Sequence, residues 1–354
     1  ELDDNGPVSP DVLVDQLRAV ADRVGLAAIG VAPVEPFEDT LAILESRKSA
    51  GLHGGMAFTY RDPQRSTDPA RILDGARSLI VGALGYAAGP VARPVSDVPV
   101  GRVARYAVTD AYGELRSALG QVADVLERAG HRTRVVLDDN ALVDRAAAHR
   151  AGVGWFGHNA NVLVPGHGSW VVLGAIVTDA ALPRSKPVAD GCGPCRRCLD
   201  GCPTGAIVAP GVVDARRCLA WLVQADGTFP AEHRIALGDR IYGCDDCQEV
   251  CPPARRGPEA QRSVDPDAAW VDLLWMLRAT DAELLERLGR WYIARRDPRN
   301  LRRNALLALG NIADPDAAEI RAEIARYRDA DDPMLAEHAE WAWRRLDDRA
   351  LEAR

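Results

Sequence analysis

The chain has 354 residues, 47% of them apolar and 27% charged, which is enough for about two or three globular domains. Its formal net charge of −8 argues against a protein that wraps nucleic acid with its whole surface. The longest apolar runs, at 78–88 and 170–177, are too short to cross a bilayer, and no secretion signal opens the sequence. We therefore expect a cytoplasmic protein without membrane contact.

The N-terminal part alternates helical and extended patterns, which predicts an α/β or α+β domain. In chain order we predict a helix and a short strand at 10–30, a buried strand at 76–86, a helix at 110–130, a strand at 131–139, a helix at 141–154 and a hairpin at 155–179 across the segment PGHG.

Common nucleotide and zinc motifs are missing from the sequence. There is no G-x-G-x-x-G after a strand, no P-loop and no H-E-x-x-H, so neither nucleotide hydrolysis nor a Rossmann-bound nicotinamide cofactor is supported. The paired acids Asp138 and Asp139 end a predicted strand, where sites often form. A carboxyl group there could donate a proton if burial raised its pKa, although paired acids more often only solvate a loop.

All eight cysteines lie between Cys192 and Cys251. A disulfide framework would be spread along a small secreted domain, and structural zinc prefers separate C-x2-C pairs. The first run has the spacing C-x2-C-x2-C-x3-C-P, which is typical of bacterial ferredoxins that hold two 4Fe-4S clusters. Its members are Cys192, Cys195, Cys198 and Cys202, followed by Pro203.

The second run is incomplete, because Ile241 stands where another cysteine would be expected. Cys218 is the remaining thiol and completes the set. In ferredoxins the last cysteine of each run binds the neighbouring cluster. This crossing rule predicts one cluster on Cys192, Cys195, Cys198 and Cys251, and the other on Cys202, Cys218, Cys244 and Cys247.

The C-terminal part opens with an arginine-rich segment, 290–304, that carries six arginines. A solvated helix end is the plain interpretation, and a phosphate-binding face is the alternative, with Arg295, Arg296, Arg299, Arg302 and Arg303 as its candidates. Beyond it, Ala305 and Ala339 occupy equivalent places in two apolar helical patterns 34 residues apart. This period predicts a pair of HEAT-like helical repeats rather than an ordinary helical extension.

Together these segments resemble the epoxyqueuosine reductases, cobalamin-dependent iron–sulfur enzymes that complete queuosine at the wobble position of tRNA. The matching motifs run in family order along nearly the whole chain. They are RSTDPARILDGARSLIV (65–81), DDNALVDRA (138–146), AGVGWFGHN (151–159), GSWVVLG (168–174), CGPCRRCLDGCPTGAIVAP (192–210), DARRC (214–218), RIYGCDDCQEVCP (240–252) and RNALLALGN (303–311). The chain departs from the family at Gly113, at His158 and at Pro253-Ala254.

The resemblance implies an α+β fold: an N-terminal α/β cobalamin-binding domain over 1–180, a ferredoxin-like two-cluster domain over 181–262, and the HEAT-like repeats over 263–354. It also implies base-off cobalamin beside the nearer cluster, with Asp139 as both a cofactor contact and the proton donor. The remaining cofactor contacts of the family fall on Arg65, Ala104, Arg145, Asn159, Val162 and Leu173.

The implied function is reduction of the epoxide of epoxyqueuosine in tRNA, by an enzyme that is a monomer and takes electrons from an external low-potential donor of the ferredoxin or flavodoxin type. The alternative is a related cobalamin reductase that acts on a small molecule, as reductive dehalogenases do. A third hypothesis, an electron-transfer protein without cobalamin, is disfavoured by the long segment that precedes Cys192.

Overall fold

The computed structural model describes residues 9–86, 89, 91–95, 97–255 and 265–352. Its strands are β1 Ala28–Pro33, β2 Ser78–Gly85, β3 Val100–Val103, β4 Thr133–Val136, β5 Trp155–Phe156, β6 Val162–Leu163, β7 Val171–Thr178, β8 Ile207–Ala209, β9 Val212–Val213, β10 Arg240–Tyr242 and β11 Trp270–Asp272. Its helices are α1 Pro10–Arg23, α2 Glu38–Ser49, α3 Pro63–Ser66, α4 Ala111–Arg128, α5 Asp144–Arg150, α6 Arg197–Asp200, α7 Leu219–Leu222, α8 Arg234–Leu237, α9 Asp246–Glu249, α10 Pro252–Arg255, α11 Pro266–Ala269, α12 Leu273–Arg278, α13 Asp281–Leu288, α14 Arg299–Ile312, α15 Ala318–Arg328 and α16 Pro333–Glu352.

A four-stranded antiparallel sheet in the order β1-β2-β7-β4 organises the N-terminal part. Side chains alternate across it, so Ile80 and Ile176 pack against α1 and α4, while Leu79 and Val177 pack on the opposite face with α5. The predicted hairpin at 155–179 is wrong, because β7 pairs with β2 and β4 and leaves β6 paired only with β5. The long apolar run of β7 is buried on both faces, which requires a central strand.

The two long N-terminal helices begin and end where the sequence predicts. Ser9 caps α1 by accepting from the Val12 N–H, and Asp110 caps α4 by accepting from the Gly113 N–H. Gly130 follows α4 with φ +85°, a conformation that favours glycine. The apolar stripes of both helices then close one face of the sheet, and α5 packs on the other face.

A second sheet, in the order β10-β3-β11, joins the three segments that we predicted as separate domains. Gly101 of β3 is required there, because a Cβ atom would lie 2.4 Å from Ile241 Cγ2. Residues of the first segment, such as Val103 and Val108, share a core with the C-terminal helices. The predicted boundary between 262 and 263 lies outside the described residues, and the division into domains stays a prediction.

The C-terminal helices α14, α15 and α16 pack around small residues. Ala305 and Ala339, which the 34-residue period equates, are both fully buried. Gly310 allows α14 to approach α16, since a Cβ atom there would lie 2.9 Å from the Ala342 Cα. Within the described ranges, none of the helices is long and apolar enough to span a bilayer.

His338 of α16 makes stability depend on pH. Its Nε2 accepts from the Phe229 N–H at 3.0 Å, and burial lowers its pKa to about 4. The unfolded chain, with an ordinary histidine pKa near about 6.5, binds the proton more readily, so the fold loses stability as the pH falls from there towards 4, by at most about 1.4 kcal/mol per unit.

We expect His338→Gln to flatten this dependence, because an amide accepts from Phe229 without taking up a proton. Urea unfolding at neutral and acidic pH measures how the free energy of unfolding changes with pH in the variant and in the wild type. The comparison of the two proteins removes the pH effects of all other titrating groups. His149→Gln, at an exposed position, is the matched control. An identical pH slope in His338→Gln and wild type would contradict the assignment.

Candidate functional site

The eight cysteines lie on short turns and single-turn helices, and all of them are free. α6 and α9 lie within the two runs and pack against each other, with Gly201 closely approaching the side chain of Val250. Gly243 has φ +73°, and a Cβ atom there would lie 2.4 Å from the Ala104 Cβ. Protein packing thus accounts for Gly201 and Gly243 beside these cysteines.

The first set joins the start of the first run to the end of the second. Burial raises the pKa of the Cys251 thiol, and the nearby Cys192 and Cys195 raise it further. Burial also raises the pKa of Cys198 to about 11, with Cys251 and Cys192 as its charged neighbours. Thiols some fifty residues apart in sequence are therefore neighbours in space.

The second set contains the other four thiols. Burial raises the pKa of Cys247 well above the ordinary value, and Cys244, Cys218 and Cys202 add to it. Cys198 contributes as well, which places the two sets side by side. The grouping is the one that the crossing rule predicts, while ligation itself stays a prediction.

Burial also disfavours the thiolate form of Cys244. It raises the pKa of Cys244 to about 12, and the Cys244 thiol lies 3.4 Å from Asp246 Oδ2. Binding of a metal cluster must therefore displace protons, as thiolate ligation always requires. Among the described residues, no three His, Cys, Asp or Glu side chains are grouped as ligands of a single metal ion.

Residues 137–143, which we call the acidic loop, connect β4 to α5 and carry Asp138 and Asp139. Asp138 has φ +50°, and Asp139 Oδ1 accepts from the Ala141 N–H at 2.8 Å. Both residues are exposed, so the partly buried environment that we expected for Asp139 is not found. Packing around the Asp138 carboxyl and the charge of Asp139 raise the pKa of Asp138. Asp144, at the start of α5, is the most strongly shifted acid, and burial raises its pKa to about 8.

Four tyrosines occupy the space between the second cysteine set and the acidic loop. They are Tyr86, Tyr106, Tyr112 and Tyr242. Burial raises the pKa of each hydroxyl group, and neighbouring tyrosines or acidic groups act on it as well. Tyr86 has Cys247 as a charged neighbour, and Tyr112 has Asp138 and Asp144. Tyr242 stacks on Trp291 with ring centroids 4.4 Å apart. Sequence reasoning missed these tyrosines and Asp144, because they come from distant segments without a shared motif.

The predicted cofactor residues fall into two groups. Ala104 is buried and lines a small cleft with Cys244. Asn159, Val162 and Leu173 are buried near α5, and the Asn159 Nδ2 has no hydrogen-bond partner. Arg145 connects the two groups.

Arg145 is exposed and interacts with a residue of each neighbouring segment. Its Nη1 donates to the Ala160 carbonyl at 3.3 Å, and its charge acts on Cys218. Arg65 is also exposed, and it lies on α3 beside the acidic loop, since Ser66 Oγ donates to the Asn140 carbonyl at 2.6 Å. Arg65 and Arg145 therefore lie near the acidic loop and Cys218, while the cofactor role of all seven residues stays a prediction.

The prediction of a phosphate-binding role is wrong for one of the five arginines. Arg303 is 1% exposed and donates to the carbonyls of Leu222, Ala225 and Gly227, so it cannot contact a phosphate. Its neighbour Arg302 is also mostly covered and pairs with Asp281 at 2.6 Å. A helix that packs into a core buries one side of an arginine-rich stretch, which the composition alone does not show.

The other three candidate arginines reach the surface. Arg299 pairs with Asp297 and Asp332. Arg295 pairs with Asp226, and Arg296 donates to the Gly289 carbonyl. These surface pairs are weak in water and leave the guanidinium groups accessible.

Comparison with known proteins gives consistent relatives. Residues 191–254 match the family model of the 4Fe-4S double cluster binding domain. Over 93% of this chain, the epoxyqueuosine reductase of Bacillus cereus is 33% identical, with 88% of the relative covered. That of Vibrio cholerae is 34% identical over 93% of this chain and 91% of the relative.

Solved structures agree with these relatives. A structure of epoxyqueuosine reductase with an epoxyqueuosine-modified tRNA-Tyr stem loop superposes with a TM-score of 0.87 at 32% identity, covering 97% of this chain and 92% of that one. A Bacillus subtilis epoxyqueuosine reductase, described with its catalytic loop swung out of the active site, has a TM-score of 0.86 at 31% identity over 96% of this chain and 91% of that one.

Proposed function

The chain belongs to the epoxyqueuosine reductase family, and we propose that it reduces epoxyqueuosine in tRNA to queuosine. It is therefore an oxidoreductase with a double 4Fe-4S domain. The similarity over nearly the full length of both chains is the observation that carries this conclusion. The reaction consumes two electrons and two protons, because the epoxide carbons become an alkene and the oxygen leaves as water.

The two cysteine sets provide the ligands for the clusters in this proposal. Each set has four thiols, and the sets adjoin through Cys198 and Cys247. Cys198 and Cys251 are buried, whereas the exposed residues Arg196 and Arg197 surround the first set at the surface. We infer that an external low-potential donor of the ferredoxin or flavodoxin type reduces the clusters from this surface.

The residues near the acidic loop fit base-off cobalamin, which the family resemblance implies. The buried Asn159 Nδ2 and Ser169 Oγ both have no partner and so can serve a ligand. Ala104, Val162 and Leu173 are buried apolar residues, and the exposed Arg65, Asp139 and Arg145 offer polar groups. When bound, cobalamin supplies a cobalt centre that accepts electrons and reacts with strained C–O bonds.

Asp139 holds the proton for the departing oxygen. It is exposed next to Arg145 and Asp144, so a substrate can reach its carboxyl group, and its Oδ2 is not engaged by the Ala141 N–H that Oδ1 accepts. Substrate that covers this loop would exclude water from the Asp139 carboxyl group. The role agrees with a proton donor that works only in the complex.

The tRNA contacts of this proposal lie on the C-terminal part. The helices α14 to α16 form the HEAT-like repeats, and Arg295, Arg296 and Arg299 are the phosphate candidates that remain accessible. A tRNA substrate is a cytoplasmic molecule, which is the compartment that we propose, and we propose a monomer. Size-exclusion chromatography with light scattering tests the monomer directly.

Asp139→Asn tests the function. We expect the variant to keep its iron and its cobalamin absorption but to lose about 10²–10⁴-fold in turnover, the usual contribution of a positioned acid. The assay is anaerobic conversion of epoxyqueuosine-containing tRNA, followed by mass spectrometry of the modified nucleoside. Asp124→Asn, at an exposed site on α4, should behave as wild type. Wild-type protein that never forms queuosine would refute the function, and full activity of Asp139→Asn would refute only the role of Asp139.

A further inference from the structure

Helix α14 supplies an asparagine that donates to two different segments of the chain. The Asn304 side chain is fully buried, and its Nδ2 donates to the Val223 carbonyl at 2.8 Å and to the Ile241 carbonyl at 3.0 Å. Its Oδ1 accepts from the Arg303 guanidinium, from Nε at 3.1 Å and from Nη2 at 3.0 Å. Both amide hydrogens and the amide oxygen therefore have partners, as a buried amide requires.

The two segments joined by this amide each carry a cysteine of the second set. The Cys218 carbonyl accepts from the Leu222 N–H at 2.9 Å, which fixes Cys218 to the start of α7, and Val223 follows α7 directly. Ile241 is the middle residue of β10 and lies three residues before Cys244. These two cysteines are distant in sequence, so tertiary contacts must set the distance between them.

The second cysteine run lacks a thiol at Ile241, and Cys218 takes its place in the predicted set. Within a complete run, the short spacing between neighbouring ligands sets their separation. Cys218 belongs to neither run, so local spacing cannot place it. The Ile241 carbonyl and the turn after Cys218 meet instead on one buried amide.

The same helix packs against the second set through an apolar side chain. Leu307, one turn after Asn304, is fully buried in a small core with Leu219, Leu222, Val223 and Phe229. The partly buried Cys244 side chain packs against this core. Contacts with α14 thus connect the turn after Cys218 to Cys244 on the apolar side as well as through the amide.

From this geometry we propose that Asn304 is a positioning residue for the second cluster, which holds Cys218 and Cys244 at the separation that the cluster needs. The proposal rests on the function given above, in which the second cysteine set binds a 4Fe-4S cluster. Asn304 acts through the backbone of the two ligand segments and does not itself bind iron. The first set, which has three of its four cysteines in one closely spaced run, does not depend on this amide.

Asn311 provides a matched control on the same helix. It lies about two turns after Asn304, and its Nδ2 also donates to two carbonyls, that of Arg234 at 2.8 Å and that of Gly238 at 3.2 Å. The segment 234–238 contains no cysteine. Loss of the Asn311 amide therefore removes comparable hydrogen bonds from α14 without releasing a residue next to a cluster ligand.

Asn304→Asp and Asn311→Asp, prepared anaerobically as full chains, test the proposal. Aspartate at 304 keeps the oxygen that accepts from Arg303 but places a second oxygen against the two carbonyls. We expect about four irons per folded chain in Asn304→Asp, and about eight in Asn311→Asp and in the wild type, with urea unfolding giving the folded fraction. Electron paramagnetic resonance of reduced Asn304→Asp should show one isolated cluster, because the first set remains intact.

Asn304→Ser covers the case in which aspartate prevents folding. Its hydroxyl group can donate to only one of the two carbonyls, so the second cluster should assemble but should be held less firmly. In the presence of a ferrous-iron chelator, half of the iron should leave about fivefold faster than in the wild type, the effect of one lost hydrogen bond. The other half should leave at the wild-type rate, and Asn311→Ser should release all of its iron as the wild type does.

Two kinds of result would overturn the proposal. One is a complete set of irons with the wild-type spectrum in folded Asn304→Asp, or wild-type iron release in Asn304→Ser. The other is the same loss of iron in the Asn311 variants, which would make Asn304 an ordinary structural residue of α14. A failure of the proposed function would appear separately, as wild-type protein that carries both clusters but forms no queuosine.

Discussion

Cys251→Ala together with Cys192→Ala should leave the protein with one intact cluster, whereas Cys251→Ala together with Cys202→Ala should remove both. The reason is the interleaving of the two runs, since Cys251 lies near Cys192 and Cys195 and not in the set of Cys202. Iron analysis of anaerobically prepared protein should give about eight irons per chain in the wild type, about four in the first double variant and almost none in the second.

Electron paramagnetic resonance of the reduced protein adds a second measurement. Two adjacent paramagnetic clusters broaden each other's signals, so each single variant, Cys251→Ala or Cys247→Ala, should give the simple spectrum of one isolated cluster. Queuosine formation should stop in both variants, because a broken electron path delivers nothing to the substrate.

Arg197→Ala is the matched control for these losses. It is exposed and immediately precedes Cys198, and it should keep both clusters. The interleaved assignment fails if the Cys251 and Cys192 double variant retains almost no iron, because each run would then hold its own cluster and the two substitutions would break both.

Arg303→Ala should destabilise the fold by about 3–5 kcal/mol, because several buried carbonyl groups lose their donor at about 1–3 kcal/mol each. The Arg303 guanidinium donates to the carbonyls of Leu222 at 2.9 Å, Ala225 at 2.8 Å and Gly227 at 2.6 Å. Burial lowers its pKa to about 10, which leaves it charged at neutral pH. Its removal would leave these carbonyl groups, at the end of α7 and in the loop after it, without their hydrogen-bond donor.

Denaturant unfolding measures this loss, and tRNA binding separates it from a contact with phosphate. Arg295→Ala, at an exposed position, should cost little stability but should lower tRNA affinity and its salt dependence. Arg303→Ala should reduce tRNA binding only in proportion to the fraction unfolded. A weakened salt dependence in folded Arg303→Ala protein would show that the buried position is not maintained in the complex.

Much of the site could be predicted from local spacing. The C-x2-C-x2-C-x3-C-P run needs no tertiary information, because the turns between adjacent ligands are set by the residues between them. The helices α1 and α4 were equally clear, since each has a long apolar stripe and a capping residue. The wrong hairpin at 155–179 arose because an apolar run does not say which strand it pairs with.

By itself, the sequence determined the cysteine spacing that predicts the cluster ligands, the capped amphipathic helices and the family motifs, because each is a pattern of local sequence. Only the tertiary structure decided that Arg303 is buried, that Asp139 is exposed and that Asp144 lies beside Asp138 and Tyr112. Burial and charge proximity depend on which distant segments pack together. An arginine can therefore lie at the surface or donate to buried carbonyl groups, and an aspartate can be exposed or shielded, according to the neighbours that the fold supplies.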